Sequence, residues 1–185
     1  MVARASCGLF YWKGRDNGNE HPGSPACRGP VQGGTLPHPS GAWEGVRAAL
    51  CGGGVPIVRS HSSCRALCNH PGNLTDDQLG ALAEKGGEAQ VTLYTGFLVE
   101  GDAVAGIHDA VRHILHSVSV AGIDHVGIGT DFDGDGGVRG LDSASSLIKL
   151  TEALQAEGID HEDLEKIWGG NFLRVMRQAQ AAAKE

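Results

Sequence analysis

His125-Val126-Gly127-Ile128-Gly129-Thr130-Asp131-Phe132-Asp133-Gly134 is the stretch on which the reading of this chain turns. Its first half is a short apolar run suited to a buried strand. Its second half is acidic and glycine-rich, so the strand stops there. Two earlier segments repeat the pattern: Val55-Pro56-Ile57-Val58 leads into Ser60-His61-Ser62-Ser63, and Ala89–Tyr94 leads into Thr95-Gly96-Phe97. Helices are expected between them. Thr75 before Asp76-Asp77 reads as an N-cap with acids in the first turn, Leu79, Leu82 and Ala83 mark a buried face, and Gly86-Gly87 ends the helix. Ile107, Val111, Ile114, Leu115 and Val118 recur at helical spacing up to Gly122. Two more helices are expected, about Ser143–Glu157 and His161–Ala183, with Trp168-Gly169-Gly170 breaking the second and Asn171 capping its final part. Strands alternating with helices imply a parallel sheet with crossover helices, and such folds keep their chemistry at the C-terminal strand ends.

The rest of the composition bounds the answer. At 185 residues the chain has room for one domain, and 41% hydrophobic with 20% charged residues is a globular balance. No apolar run is long enough to span a membrane. A net charge of −7 argues against nucleic acid as a partner. Five of the seven prolines (Pro22, Pro25, Pro30, Pro37, Pro39) precede residue 40, and no helical or strand period is sustained between Cys7 and Gly41. Residues 1–40 therefore read as an irregular Gly/Pro-rich leader, without the apolar core of a signal peptide. From residue 41 the pattern changes, beginning with a short helix over Ala42–Leu50. Five cysteines without a Cys-x-x-Cys spacing fit reduced thiols and a cytoplasmic location.

His61 follows the first strand and Asp131 follows the third, so an imidazole and a carboxylate project from one end of the sheet. These are usual ligands of zinc and similar ions, and a catalytic site also needs an open position for water. A histidine after a strand also serves simply as a hydrogen-bonded structural group, and spacing alone leaves both readings open. Other signals have plainer explanations. His108, His113 and His116 are expected on the solvated face of their helix, and His125 is expected to be structural. Asp131, Asp133 and Asp135 with Gly136 imitate a calcium loop, but an EF-hand wants an entering helix and a glutamate at position 12, where Asp142 stands. Cys64 beside Ser-His-Ser-Ser allows a Cys/His pair on paper, but the expectation is a small buried residue. Gly-x-Gly-x-x-Gly is not completed, because position 132 is Phe, so nucleotide binding is discarded.

Pro56 to Leu67, Asn73 to Leu79, Gly122 to Gly134 and Asn171-Phe172-Leu173-Arg174-Val175 together resemble the membrane (renal) dipeptidase family of zinc metallopeptidases. The resemblance runs from about residue 41 to 178. It implies a (β/α)8 TIM barrel with two zinc ions and hydrolysis of a dipeptide by a metal-activated water. By the same resemblance His61 matches a zinc ligand. Asp131 matches the aspartate beside the first zinc and the attacked bond, which contacts the substrate and carries the proton to the leaving amine.

The sequence also departs from that family. No counterpart stands for its first-strand His-x-Asp pair or its bridging glutamate. His38, 23 positions before His61, falls near where a further histidine ligand belongs, although Leu36-Pro37 and Pro39 do not read as a strand end. The arginine that holds the substrate carboxylate in the family is Gly72 here. The expectation is thus an incomplete barrel, its last three strands or so with their helices over residues 41–185. It would bind zinc and a dipeptide, with hydrolysis impaired. A non-catalytic barrel remnant and a calcium-binding loop module are the alternatives. Three strands cannot close an eight-stranded barrel, so pairing through open sheet edges, in a homo-oligomer or with another chain, is expected.

Overall fold

The computed structural model describes residues 55–182. Its elements are β1 (Val58–Ser62), α1 (Asp76–Glu84), β2 (Glu88–Thr92), the short α2 (Thr95–Leu98), α3 (Ile107–Ala121), β3 (Val126–Gly129), α4 (Leu147–Ala156), α5 (His161–Glu165) and α6 (Asn171–Ala182). The three strands are parallel in the order β1-β2-β3. The expected α/β alternation is present. The leader, the helix over 42–50 and His38 lie outside the described residues.

Local chemistry accounts for most boundaries. Thr75 accepts from the Gln78 amide while the Gln78 side chain accepts from the Thr75 amide, a capping box that starts α1. The first strand begins at Val58 rather than Val55, with Pro56, which has no N–H to donate to a ladder, left ahead of it. Gly169, at φ 150°, breaks the run between α5 and α6. Asn171 corrects the expectation. It already has helical backbone angles and is no cap; its buried Nδ2 donates instead to the Ile123 and Val126 carbonyls at 2.8 and 2.9 Å. That ties α6 to the entry of β3.

The two faces of the sheet differ. Ala89, Val91 and Leu93 alternate outward onto the helices. Ala89 packs with Leu79 and Leu82, and Val91 and Leu93 join a larger core with Ile114, Leu150, Leu154 and Ile167. The opposite face carries Glu88, Gln90 and Thr92 beside Gly127 and Gly129. Glu88 is fully buried. Its Oε1 accepts from Gln90 Nε2 at 3.2 Å, while its Oε2 has no hydrogen-bond partner among the described residues, and burial raises the carboxyl above its ordinary range.

The glycines of β3 control the curvature. A methyl group on Gly129 would collide with the Ser60 carbonyl of β1, although β2 lies between the two strands in the sheet. The register of β1 against β2 is irregular between Arg59 and Ser62, and this bulge is where Ser60 swings across. Backbone thus approaches backbone where a side chain would hold it off.

His113 corrects a second expectation. His108 is exposed on α3, but His113 is 1% exposed, with Nδ1 accepting from the Cys64 amide at 3.0 Å and Nε2 donating to the Leu98 carbonyl at 3.0 Å. The helix turns its third histidine differently again: His116 Nε2 meets Asp76 Oδ1 at 2.8 Å. His125 is structural as expected, bonded through Nδ1 to the Gly87 carbonyl at 2.8 Å.

Packing and burial yield two predictions. Gly129→Ala should cost about 1–3 kcal/mol in urea unfolding, because both colliding partners are backbone and neither can rotate away. Burial pushes the His113 imidazole down to about 4. The unfolded chain takes that proton near pH 6.5, so the stabilisation is complete above pH 6.5 and is lost as the pH falls towards 4. Glu88 titrates oppositely: its raised carboxyl contributes stability at low pH that is lost as pH rises above the ordinary carboxylate range. The imidazole is therefore isolated by comparing the parent chain with His113→Asn. The parent's advantage at pH 7 should shrink by roughly 3 kcal/mol at pH 4.

Candidate active site

The bulge at Ser60 and the glycine at 129 bring the two distant strand ends together. His61 Nε2 lies 3.5 Å from Asp131 Oδ1, with the side chains 37% and 25% exposed. The other ring nitrogen of His61 sits 2.8 Å from Ser60 Oγ. With Nδ1–H donated to that hydroxyl, the Nε2 lone pair faces Asp131 and is available as a ligand.

Asp131 is held by its turn. It is the one non-glycine residue with positive φ among the described residues, at 58°. Its carbonyl accepts from the Gly134 and Gly136 amides at 3.0 and 2.8 Å. A left-handed aspartate costs on the order of 1 kcal/mol, and the two amide bonds hold it there. A methyl on Gly136 would collide with the Thr130 carbonyl, so the turn needs glycine at that position. The residues that lead into Asp131 form β3 and not the entering helix that an EF-hand wants. Asp133 and Asp135 are exposed, and no group of three His, Cys, Asp or Glu side chains converges among the described residues.

The donor types and their separation suit one metal ion. Two ligands at about 2.0–2.1 Å from a tetrahedral zinc lie about 3.3 Å apart, close to the 3.5 Å seen between His61 and Asp131. Two donors are fewer than the three that a catalytic zinc usually draws from its protein.

Around the pair, the rim is aromatic. Tyr94 meets Phe97 edge-on at 5.3 Å between ring centres, and His70 lies 4.4 Å from Phe97. A methyl on Gly72 would meet the tip of the Phe97 ring, so a side chain there requires that ring to move. Arg65, the nearby cation, spends its Nε–H on the His70 carbonyl at 3.2 Å. Cys64 is not a nucleophile. Burial pushes its thiol up to about 11, and its Sγ contacts the His113 carbonyl and Ser117 Oγ rather than an imidazole nitrogen. Sequence reasoning missed Ser60, Asn73, His113 and Gly129 as parts of the site. Ser60, Asn73 and Gly129 carried a usable signal, since each stands in a segment that resembles the dipeptidase family and lies at or beside a strand end or a cap, whereas His113 carried none.

The chain is similar to known proteins. The family model of membrane dipeptidase (peptidase family M19) matches residues 41–185. An uncharacterized dipeptidase of Schizosaccharomyces pombe is 39% identical over 132 residues, which is 70% of this chain and 32% of that protein. Dipeptidase aclJ of Aspergillus oryzae is 37% identical over 132 residues, 70% of this chain and 31% of that protein. A metallopeptidase from Rhodobacter sphaeroides, solved with a phosphinate mimic of the dipeptide L-Ala-D-Ala, superposes with a TM-score of 0.63 at 32% identity, covering 67% of this chain and 36% of the other. The probable dipeptidase PvdM from Pseudomonas aeruginosa superposes at 0.69 with 27% identity, covering 74% and 48%. The chain spans about a third of the length of these curated relatives. With its match running from residue 41 to the last residue, the chain belongs to the membrane dipeptidase family.

Proposed function

We propose that this chain carries part of a zinc-dependent dipeptide hydrolase centre and that, in the isolated chain, hydrolysis is impaired. The observation that carries the reading is the 3.5 Å approach of His61 Nε2 to Asp131 Oδ1. Family membership supports dipeptides as the substrate class and a metal as the cofactor. In this reading residues 41–185 are the last three strands or so of a (β/α)8 barrel, and residues 1–40 are a separate irregular leader. His38 would come from that leader as a further ligand.

Zinc, when bound, would lower the pKa of its water and polarise the peptide carbonyl. His61 would hold the ion through Nε2, with Ser60 fixing the ring through Nδ1. Asp131 would accept a proton on a carboxylate oxygen and hand it to the departing amine, while also accepting from the substrate's amino group. Its left-handed backbone, held by the Gly134 and Gly136 amides, sets where the side chain leaves the chain, on the side of His61.

Gly72 itself carries no cation to take a substrate carboxylate by paired charge-assisted bonds, and this supports impairment. The same observation, with the donor count of two, favours a second reading, a non-catalytic remnant that binds metal weakly. Parallel strands with open edges at β1 and β3, among the described residues, support pairing with a second copy or another chain. Cys64 and Cys68 as thiols support the cytoplasmic location.

Elemental analysis and a dipeptide assay on the same zinc-loaded protein test this. Fewer than two zinc ions per chain and slow hydrolysis of Gly- and Ala-containing dipeptides are expected. His61→Ala should abolish zinc uptake, and Asp131→Asn should lower residual kcat by about 10²–10⁴-fold. Hydrolysis at an ordinary enzymatic rate refutes impairment, and zinc uptake unchanged in His61→Ala refutes the ligand assignment.

A further inference from the structure

The strand end that carries His61 is pinned by two side chains from outside its own strand. Directly after His61 and Ser62 come two successive backbone amides, those of Ser63 and Cys64. The Ser63 amide donates to Asn73 Oδ1 at 3.0 Å, and the Cys64 amide donates to His113 Nδ1 at 3.0 Å. The same two side chains then reach two successive carbonyls of α2. Asn73 Nδ2 donates to the Phe97 carbonyl at 2.8 Å, and His113 Nε2 donates to the Leu98 carbonyl at 3.0 Å. Asn73 is 2% exposed and His113 is 1% exposed. An amide and an imidazole lie side by side, each accepting from the β1 exit and donating to the turn that comes after β2.

We propose that Asn73 and His113 are positioning residues that together fix the His61 strand end against the rim formed after β2. The proposal rests on the reading of His61 as a metal ligand, and its physical basis is separate from that reading. Strand-end loops are polar backbone, and in a buried rim every N–H and C=O needs a partner. No regular ladder can supply one here, because β1 has ended at Ser62 and β2 at Thr92. Two side chains with both donor and acceptor ends fill the gap. The imidazole does so in one tautomer only, protonated at Nε2 and bare at Nδ1, since the Cys64 amide can only donate and the Leu98 carbonyl can only accept. A displaced Cys64 would carry its chain neighbours with it, and His61 stands three residues away.

The test uses the full chain labelled with 15N, read by NMR, with zinc affinity measured by competition against a chromogenic chelator. In the parent, His113 should show a proton on Nε2 and none on Nδ1, and the Ser63 and Cys64 amides should exchange slowly. His113→Ala should speed exchange of the Cys64 amide at least tenfold and weaken zinc binding about tenfold, at the lower end of what supporting groups contribute to metal sites. His113→Asn, which keeps an acceptor near the place of Nδ1, should recover the slow Cys64 amide. Ser117→Ala removes a neighbouring buried contact to Cys64 Sγ and should leave both readouts at parent values. A proton on Nδ1 in the parent overturns the proposal. So does parent-like exchange in His113→Ala, or a zinc loss in Ser117→Ala equal to that in His113→Ala. A parent that binds no zinc refutes the ligand role of His61, and the exchange arm then decides the bridge alone. If His113→Ala does not fold, the parent's tautomer and the exchange recovered in His113→Asn decide it.

Discussion

The contact between the Ser60 carbonyl and the Cα of Gly129 sets the geometry of everything above it. Parallel strands two apart in a sheet are ordinarily separated by the full width of the strand between them, about 9–10 Å. Here the bulge on β1 and the missing side chain on β3 let the outer strands lean together over β2. The lean is what carries an imidazole and a carboxylate to 3.5 Å. Without it the same two residues would stand at opposite sides of a flat rim and share no chemistry.

Burial has divided the polar groups of the chain into those that hold and those that act. Glu88, Asn73, His113 and Asn171 are all nearly inaccessible, and three of them spend their hydrogen-bonding capacity on backbone of another element. His61 and Asp131 keep partial exposure, as the proposed roles in meeting metal and substrate require. The aromatic trio of His70, Phe97 and Tyr94 closes the rim on the side where Gly72 offers nothing. A side chain at 72 and the Phe97 ring compete for one volume, so the glycine and the phenyl ring belong to one solution.

Much of this was legible in the residues. Periodicity located all three strands and the helices between them, and the capping chemistry at Thr75 placed the start of α1. The pairing of His61 with Asp131 came from one rule, that chemistry gathers at the C-terminal ends of parallel strands. Asp131 does stand past β3, whereas His61 lies within the extended backbone of β1, just before the strand ends at Ser62. The errors have physical causes. His113 looked solvated because helical spacing gives a residue's angle around its own axis, not what the neighbouring loop brings against that angle. Asn171 looked like a cap because its residue type favours caps, and its own backbone, already helical, removed that role.

Sequence alone determined the order of strands and helices, because that order rests on local pattern and short-range spacing, and its motifs carried the resemblance to the family that the comparison shows. Tertiary structure decided that Gly129 lets β1 and β3 meet, that Cys64 lies inert beside Ser117, and that His113 belongs to the β1 exit 49 residues away in the chain. Each of these depends on which backbone carbonyls and amides, far apart in sequence, are left without a ladder partner once the sheet has formed. No window of neighbouring residues contains that information.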